Sequence, residues 1–176
     1  MTSVKKINRA IFSECENYRY WLERPVQTGD GNQTPCVFVM LNPSTADAEK
    51  LDPTCTRCFN YAAGWNCGRL VVVNCFAWRS TDPKGLLQAA APIGVETDKY
   101  IDMAARYAFG SGGIVVCAWG GHATLNNRAQ YVYAILCDAA SDTPGAKLTA
   151  LKVNADGSPS HPLYLKASLK PLKFSL

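Results

Sequence analysis

Apolar and polar positions along this chain alternate between two rhythms. Short runs with no polar interruption recur: Cys36-Val37-Phe38-Val39-Met40-Leu41, Leu70-Val71-Val72-Val73-Asn74 and Ile114-Val115-Val116-Cys117-Ala118-Trp119, with a weaker fourth, Leu148-Thr149-Ala150-Leu151-Lys152-Val153. Unbroken β-branched runs are the mark of strands buried on both faces, as in a parallel sheet covered by helices. Between them the spacing turns helical. Pro53–Trp65 starts behind Asp52 as cap, with Pro53 at the first helical position. Glu96–Phe109 sets Ile101, Ala104, Ala105 and Ala108 on one face, and Gly110-Ser111-Gly112-Gly113 ends it. Leu125–Ala139 repeats the spacing with Tyr131, Ile135 and Leu136. Strand and helix in alternation, joined by right-handed crossovers, predict an α/β fold: a three-layer α/β/α sandwich with a mainly parallel four-stranded central sheet. Tyr18-Arg19-Tyr20-Trp21-Leu22 reads as an added N-terminal edge strand, antiparallel, joined to the first core strand by the polar turn Gln27–Pro35. No repeat or compositional break divides the chain, so residues 1–176 are expected to form one domain.

Composition sharpens this in three places. With 176 residues, 48% hydrophobic and 18% charged, the chain can bury one sizeable core. Its opening, Met1-Thr2-Ser3-Val4-Lys5-Lys6, has no apolar run behind the lysines, and no apolar run approaches the ~20 residues of a membrane span. A cytoplasmic protein without a membrane partner is expected. The net charge of +4 permits phosphate contacts, but the cations are scattered apart from Lys166, Lys170 and Lys173. Eight cysteines in such a chain read as free thiols. Cys55-x-x-Cys58, Cys67 and Cys75 lack the second CxxC pair of a zinc ribbon, so neither metal nor cofactor is expected. Neither a GxxxxGK[ST] loop nor an HExxH helix occurs, which argues against a P-loop enzyme and a zinc protease.

In open parallel sheets ligands bind beyond the carboxyl ends of the strands, and each of those ends here carries polar residues. The first run leads into Asn42-Pro43-Ser44-Thr45-Ala46-Asp47, whose oxygens and backbone N–H groups suit a water, a base edge or a phosphate, or an ordinary turn. The second closes on Asn74, an amide that is costly among buried valines unless paired, and that can pair with an imide edge. Trp119-Gly120-Gly121-His122 follows the third run, with glycines that allow close backbone approach or simply turn the chain. After the fourth come the Asp156-Gly157 turn and His161, a candidate electrophile or acid–base group; His122 is the only other histidine. Arg57, Arg79 and Arg128 are candidate phosphate contacts or internal ion pairs.

These residues support a resemblance. Val39-Met40-Leu41-Asn42-Pro43-Ser44-Thr45-Ala46-Asp47 resembles the signature of a bacterial and phage family known as domain of unknown function 1643. Asp52-Pro53-Thr54, Arg57-Cys58, Val73-Asn74, Phe76-Ala77, Arg79, Asp82-Pro83, Ala118-Trp119-Gly120 and His161-Pro162-Leu163-Tyr164 look like the rest of its pattern, from Tyr18 to Leu165. That family implies no reaction. A second resemblance, to the uracil-DNA glycosylase superfamily, rests on Asn42-Pro43, Val71-Val72-Val73-Asn74 and His161-Pro162 in that order, and on the similar fold. It implies that Asn42 positions a water, Asn74 reads the base edge, and His161 stabilises charge on the departing base. Phe59 or Tyr61 would stack on a flipped base, and Leu163 or Tyr164 would serve as the wedge. Asn42 departs from the aspartate of the most active members, since an amide is no general base.

The expected function is therefore a metal-independent N-glycosylase, a hydrolase removing uracil or a modified base from DNA. One alternative binds or hydrolyses a nucleotide or modified base without DNA glycosylase activity. Another is a non-catalytic interaction module in a phage or defence setting. DNA or a nucleotide is the expected partner.

Overall fold

The computed structural model describes residues 8–82, 84–121 and 127–176; His122 and Leu125, the expected start of the third long helix, lie outside them. In chain order the elements are β1 (Arg9–Phe12), β2 (Arg19–Pro25), β3 (Pro35–Met40), α1 (Pro53–Gly64), β4 (Arg69–Asn74), α2 (Lys84–Gln88), α3 (Thr97–Gly110), β5 (Ile114–Cys117), α4 (Arg128–Ser141), β6 (Leu148–Ala150), a 3-10 turn (Pro162–Tyr164) and β7 (Leu172–Lys173).

The unbroken apolar runs form the centre of the sheet. β4, β3, β5 and β6 lie side by side and parallel, with Met40 paired to Asn74 at the carboxyl ends of β3 and β4. Period-two alternation sends Val37, Val39, Val71, Val73 and Val115 into one core with Ile101, Ala104 and Ala108 of α3 and Val132 and Leu136 of α4. Cys36, Phe38, Met40, Leu70 and Val72 face the other way, onto Cys55, Cys58, Tyr61 and Ala62 of α1. Helices thus cover both faces, which is why β3 is apolar throughout and β4 runs from Leu70 to Val73 without a polar residue before Asn74.

The sheet is wider than expected. It has seven strands in the order β1-β2-β4-β3-β5-β6-β7, parallel in the middle and antiparallel at both margins. β2 is antiparallel, as its sequence suggested, but it is not the edge: β1 hydrogen-bonds outside it. β1 has four residues and β7 two, too short and too exposed to print a pattern. β5 and β6 end earlier than their apolar runs; after β6 the chain leaves the sheet at Leu151 and bridges back at Val153 to Pro159. Asp52 caps α1 as expected, its side chain accepting from Cys55 N.

The topology fixes where a ligand can enter. From β3 the chain crosses through α1 to β4 on one side, then through α3 to β5 on the other. Connections leaving β3 and β5 in opposite directions open a crevice at their carboxyl ends.

Candidate functional site

That crevice is a cleft of about 730 Å³. Asn42, Ser44 and Thr45 enter it from the loop after β3, Asn74 from the end of β4, Trp119 and Gly120 from beyond β5, and His161 and Tyr164 from beyond β6. The strand-end residues singled out from sequence therefore meet around one space. A second hollow of about 580 Å³ runs beside Cys15, Tyr18, Tyr20 and Val95; its lining is mostly apolar and holds none of these groups, so it is not the candidate site.

Three of the polar side chains are oriented by hydrogen bonds to their neighbours in the cleft wall. Asn42 Nδ2 donates to Ser80 O at 2.9 Å and Pro43 O at 3.1 Å, which engages both amide hydrogens. Only its Oδ1 is left for a ligand or a water. Asn74 is set the opposite way: its Oδ1 accepts from Arg19 Nη2 at 3.4 Å, while Nδ2 has no partner among the described residues. A guanidinium has donors only, so it cannot tolerate the flipped amide. Asn74 thus offers a donor and Asn42 an acceptor.

His161 caps the 3-10 turn, its Nδ1 accepting from Leu163 N at 3.4 Å. A neutral ring that accepts at Nδ1 carries its proton on Nε2. Although much of its surface is open to solvent, the cleft walls crowd the ring and lower its pKa from the ordinary 6.5, with Asp52 pulling the other way. The walls outweigh Asp52, and the ring is neutral at neutral pH. Gly120 sits beside it at φ +73°, its N–H donating to Pro159 O at 2.9 Å, which draws the β5 and β6 loops together. A side chain there would adopt a left-handed backbone and touch His161 Cβ at 3.8 Å.

Two groups that the strand-end logic did not reach complete the cleft. Arg19 comes from β2, an antiparallel neighbour; only 2% of its surface is exposed. Its Nη1 donates to Ala46 O at 2.8 Å, its Nε has no partner, and no carboxylate lies within ion-pair distance among the described residues. Burial lowers its pKa, with Cys55 and Asp52 opposing. Asp52, read from sequence as a cap and as part of the family pattern but not as a site residue, also lines the cleft, as do Thr54 and Cys55; burial pushes the Cys55 thiol up to about 12, so it stays neutral. The buried Trp119 Nε1 has no partner among the described residues. The sequence showed only an arginine in an apolar strand; its burial, tolerated only where such a charge has something to face, follows from the pairing of β2 with β4.

Other expected residues stand elsewhere. Pro43 and Asp47 shape the loop without lining the cleft: Pro43 O accepts from Ser80 N at 2.9 Å, and Asp47 Oδ1 accepts from Glu49 N and Lys50 N at 2.8 Å each. Phe59 packs on the α1 core and Tyr61 is buried between Phe38 and Trp65, so neither can stack on a ligand. The three arginines all bond to the chain's own backbone carbonyls. Arg57 donates to Leu165 O and lies over Tyr61; Arg79 donates to Glu16 O at 2.9 Å and lies over Phe12. Arg128 donates to Cys75 O at 2.6 Å and pairs with Asp98. All eight cysteines are free, and among the described residues no cluster of His, Cys, Asp and Glu is arranged to hold a metal. No described helix is long and apolar enough to cross a membrane.

A family model described as a protein of unknown function, DUF1643, matches residues 19–163. No curated protein and no solved structure matches the chain.

Proposed function

The chain belongs to the DUF1643 family, and we propose that its cleft binds a nucleobase joined to its sugar, as a nucleoside or nucleotide, and hydrolyses the N-glycosidic bond. The convergence of Asn42, Asn74 and His161 on one cleft carries this reading. The volume falls within the ~300–1,000 Å³ of small-molecule sites. Asn74 Nδ2 would donate to a base carbonyl, His161 Nε2–H would stabilise negative charge on the leaving base, and Asn42 Oδ1 would hold the water. No metal is needed for any of these roles.

A small substrate is favoured over duplex DNA because Arg57, Arg79 and Arg128, the cations that would track a phosphate backbone, are engaged by the chain's own backbone carbonyls. One observation favours a second reading, base excision from single strands. Tyr164 lines the cleft and is 92% exposed, the posture of an aromatic that stacks on an extruded base.

Free base released by purified protein from a panel of nucleosides, nucleotides and single- and double-stranded oligonucleotides tests both. The panel covers uracil, hypoxanthine and hydroxymethylated bases. We expect release from the monomers, lowered on the order of 10² to 10³-fold in His161→Ala, the usual effect of losing one oxyanion donor. Release from oligonucleotides alone would establish the second reading, and no release from any substrate would sink both.

A further inference from the structure

Hydrolysis needs a group that takes a proton from water, and Asn42 cannot: an amide has no basic lone pair, and both its hydrogens are engaged by backbone carbonyls. We infer that Asp52 is the catalytic carboxylate that activates the water, an inference that rests on the hydrolytic reading above.

Asp52 is 8% exposed and stands at the start of α1, where its Oδ1 accepts from Cys55 N at 2.7 Å. A helix cap uses one carboxylate oxygen. Among the described residues no N–H or O–H group donates to Oδ2, the Cys55 thiol being the carboxylate's one further hydrogen-bonding neighbour, and the side chain is the sole acidic group among those that line the cleft. An independent observation concerns Arg19 across the cleft from β2. It is a nearly fully buried cation with, among the described residues, an unpartnered Nε and no ion-pair partner, and Asp52 acts on it only at a distance. A capping aspartate with an oxygen that no N–H or O–H engages, a neutral histidine and an unpaired arginine around one cavity exceed what a cap requires. The ionisable groups that face Asp52 are Arg19 from β2, His161 from the loop after β6, and Cys55 and Cys58 from α1 itself, both thiols held neutral by burial.

The step balances as follows. The C1′–N bond breaks and its electron pair leaves with the base nitrogen, whose charge meets His161 Nε2–H. Water, held between Asn42 Oδ1 and Asp52 Oδ2, adds its oxygen to C1′ and gives one proton to Asp52. The base takes up a proton from solvent, Asp52 releases one, and the products are free base and a sugar with a C1′ hydroxyl.

Asp52→Asn tests this cleanly, because asparagine caps a helix about as well as aspartate, so the fold is retained while the carboxylate is lost. Asp52→Ser, another good cap, guards against an amide-specific artefact. Thermal melts establish folding, and kcat and KM are measured from pH 4 to 9 on whichever panel member the wild type cleaves best. We expect kcat to fall on the order of 10² to 10⁴-fold in both variants, the usual contribution of acid–base catalysis, with KM within about threefold. Folded variants with wild-type kcat would reduce Asp52 to a cap, and a change confined to KM would make it a binding group; either overturns the inference and leaves the hydrolytic reading standing. A wild type that releases no base overturns both.

Discussion

At the scale of single residues the cleft is a set of orientations imposed from behind. His161 shows this most directly, because its environment sets both tautomer and charge. Its folded pKa lies below the 6.5 of a free ring, owing to burial, with Asp52 opposing. The folded state therefore prefers the neutral ring. This contribution to stability is fully present above pH 6.5 and is lost as pH falls through the lower, folded value. With two histidines in the chain, ring proton resonances can follow each one. We expect His161 to titrate below 6.5, and to titrate lower still in Asp52→Asn, where the opposing charge is gone; an unchanged or raised value in that variant would mean that the two groups do not sense each other. Arg19 acts on Asn74 in the same indirect way. Arg19→Met removes a poorly compensated buried charge, which tends to stabilise, and strands two acceptors, Ala46 O and Asn74 Oδ1, at about 1–3 kcal/mol each. The terms oppose, so the melting temperature should shift by only a few degrees. Binding of substrate should weaken about tenfold or more, as Asn74 becomes free to present either end of its amide.

Among the elements, those that bury apolar runs were legible and those that do not were missed. β3 and β4 and helices α1 and α3 lie within a residue or two of where hydrophobic spacing puts them, because burial on both faces leaves no alternative pattern. β1 and β7 escaped notice because edge strands of four and two residues bury little. The same logic explains Asp52. Its cap was readable from Asp-Pro at a helix start, whereas its place in the cleft depends on the crossover that brings α1 beside the β6 loop. The two roles separate by substitution. Asp52→Ala should cost about 1 kcal/mol through loss of the cap and Asp52→Asn a few tenths at most, measured by chemical denaturation. Equal losses would mean that the charge, and not the cap, stabilises the fold. Gly120 is a junction between elements: at φ +73° an alanine costs about 1–2 kcal/mol. Gly120→Ala should lower the melting temperature by about 2–8 °C on that basis, and it should also lower activity, since the loop that carries His161 hangs on the Gly120 N–H.

For the whole molecule the decisive feature is where charge is not. The chain carries a net +4, and from sequence alone Arg57, Arg79 and Arg128 stood equally as phosphate contacts or internal partners. Side-chain direction decides between these, and a linear sequence does not contain it: all three guanidinium groups bond to the chain's own backbone carbonyls, and Arg128 also to Asp98. Arg19 could not be assigned for the related reason that antiparallel pairing of β2 with β4, a long-range event, is what carries it under Asn74. The strand-end residues were legible because parallel topology gathers carboxyl ends whatever the details. Arg19 is the one arginine or lysine among the described residues that line the cleft, which makes a quantitative prediction. A protein that neutralises six to ten phosphates loses ~10³ to 10⁵ in affinity between 50 and 200 mM salt, whereas one neutralised phosphate gives a loss of about threefold to fourfold. Titration of a nucleoside monophosphate at those two salt concentrations should show the small loss. A nucleoside lacking the phosphate should show almost none, because hydrogen bonds from Asn74 and His161 release no counterions. A steep dependence for an oligonucleotide, tighter at low salt than any monomer, would reveal a cationic surface that the carbonyl-bonded arginines do not supply, and would return the substrate to DNA with Tyr164 at its entrance.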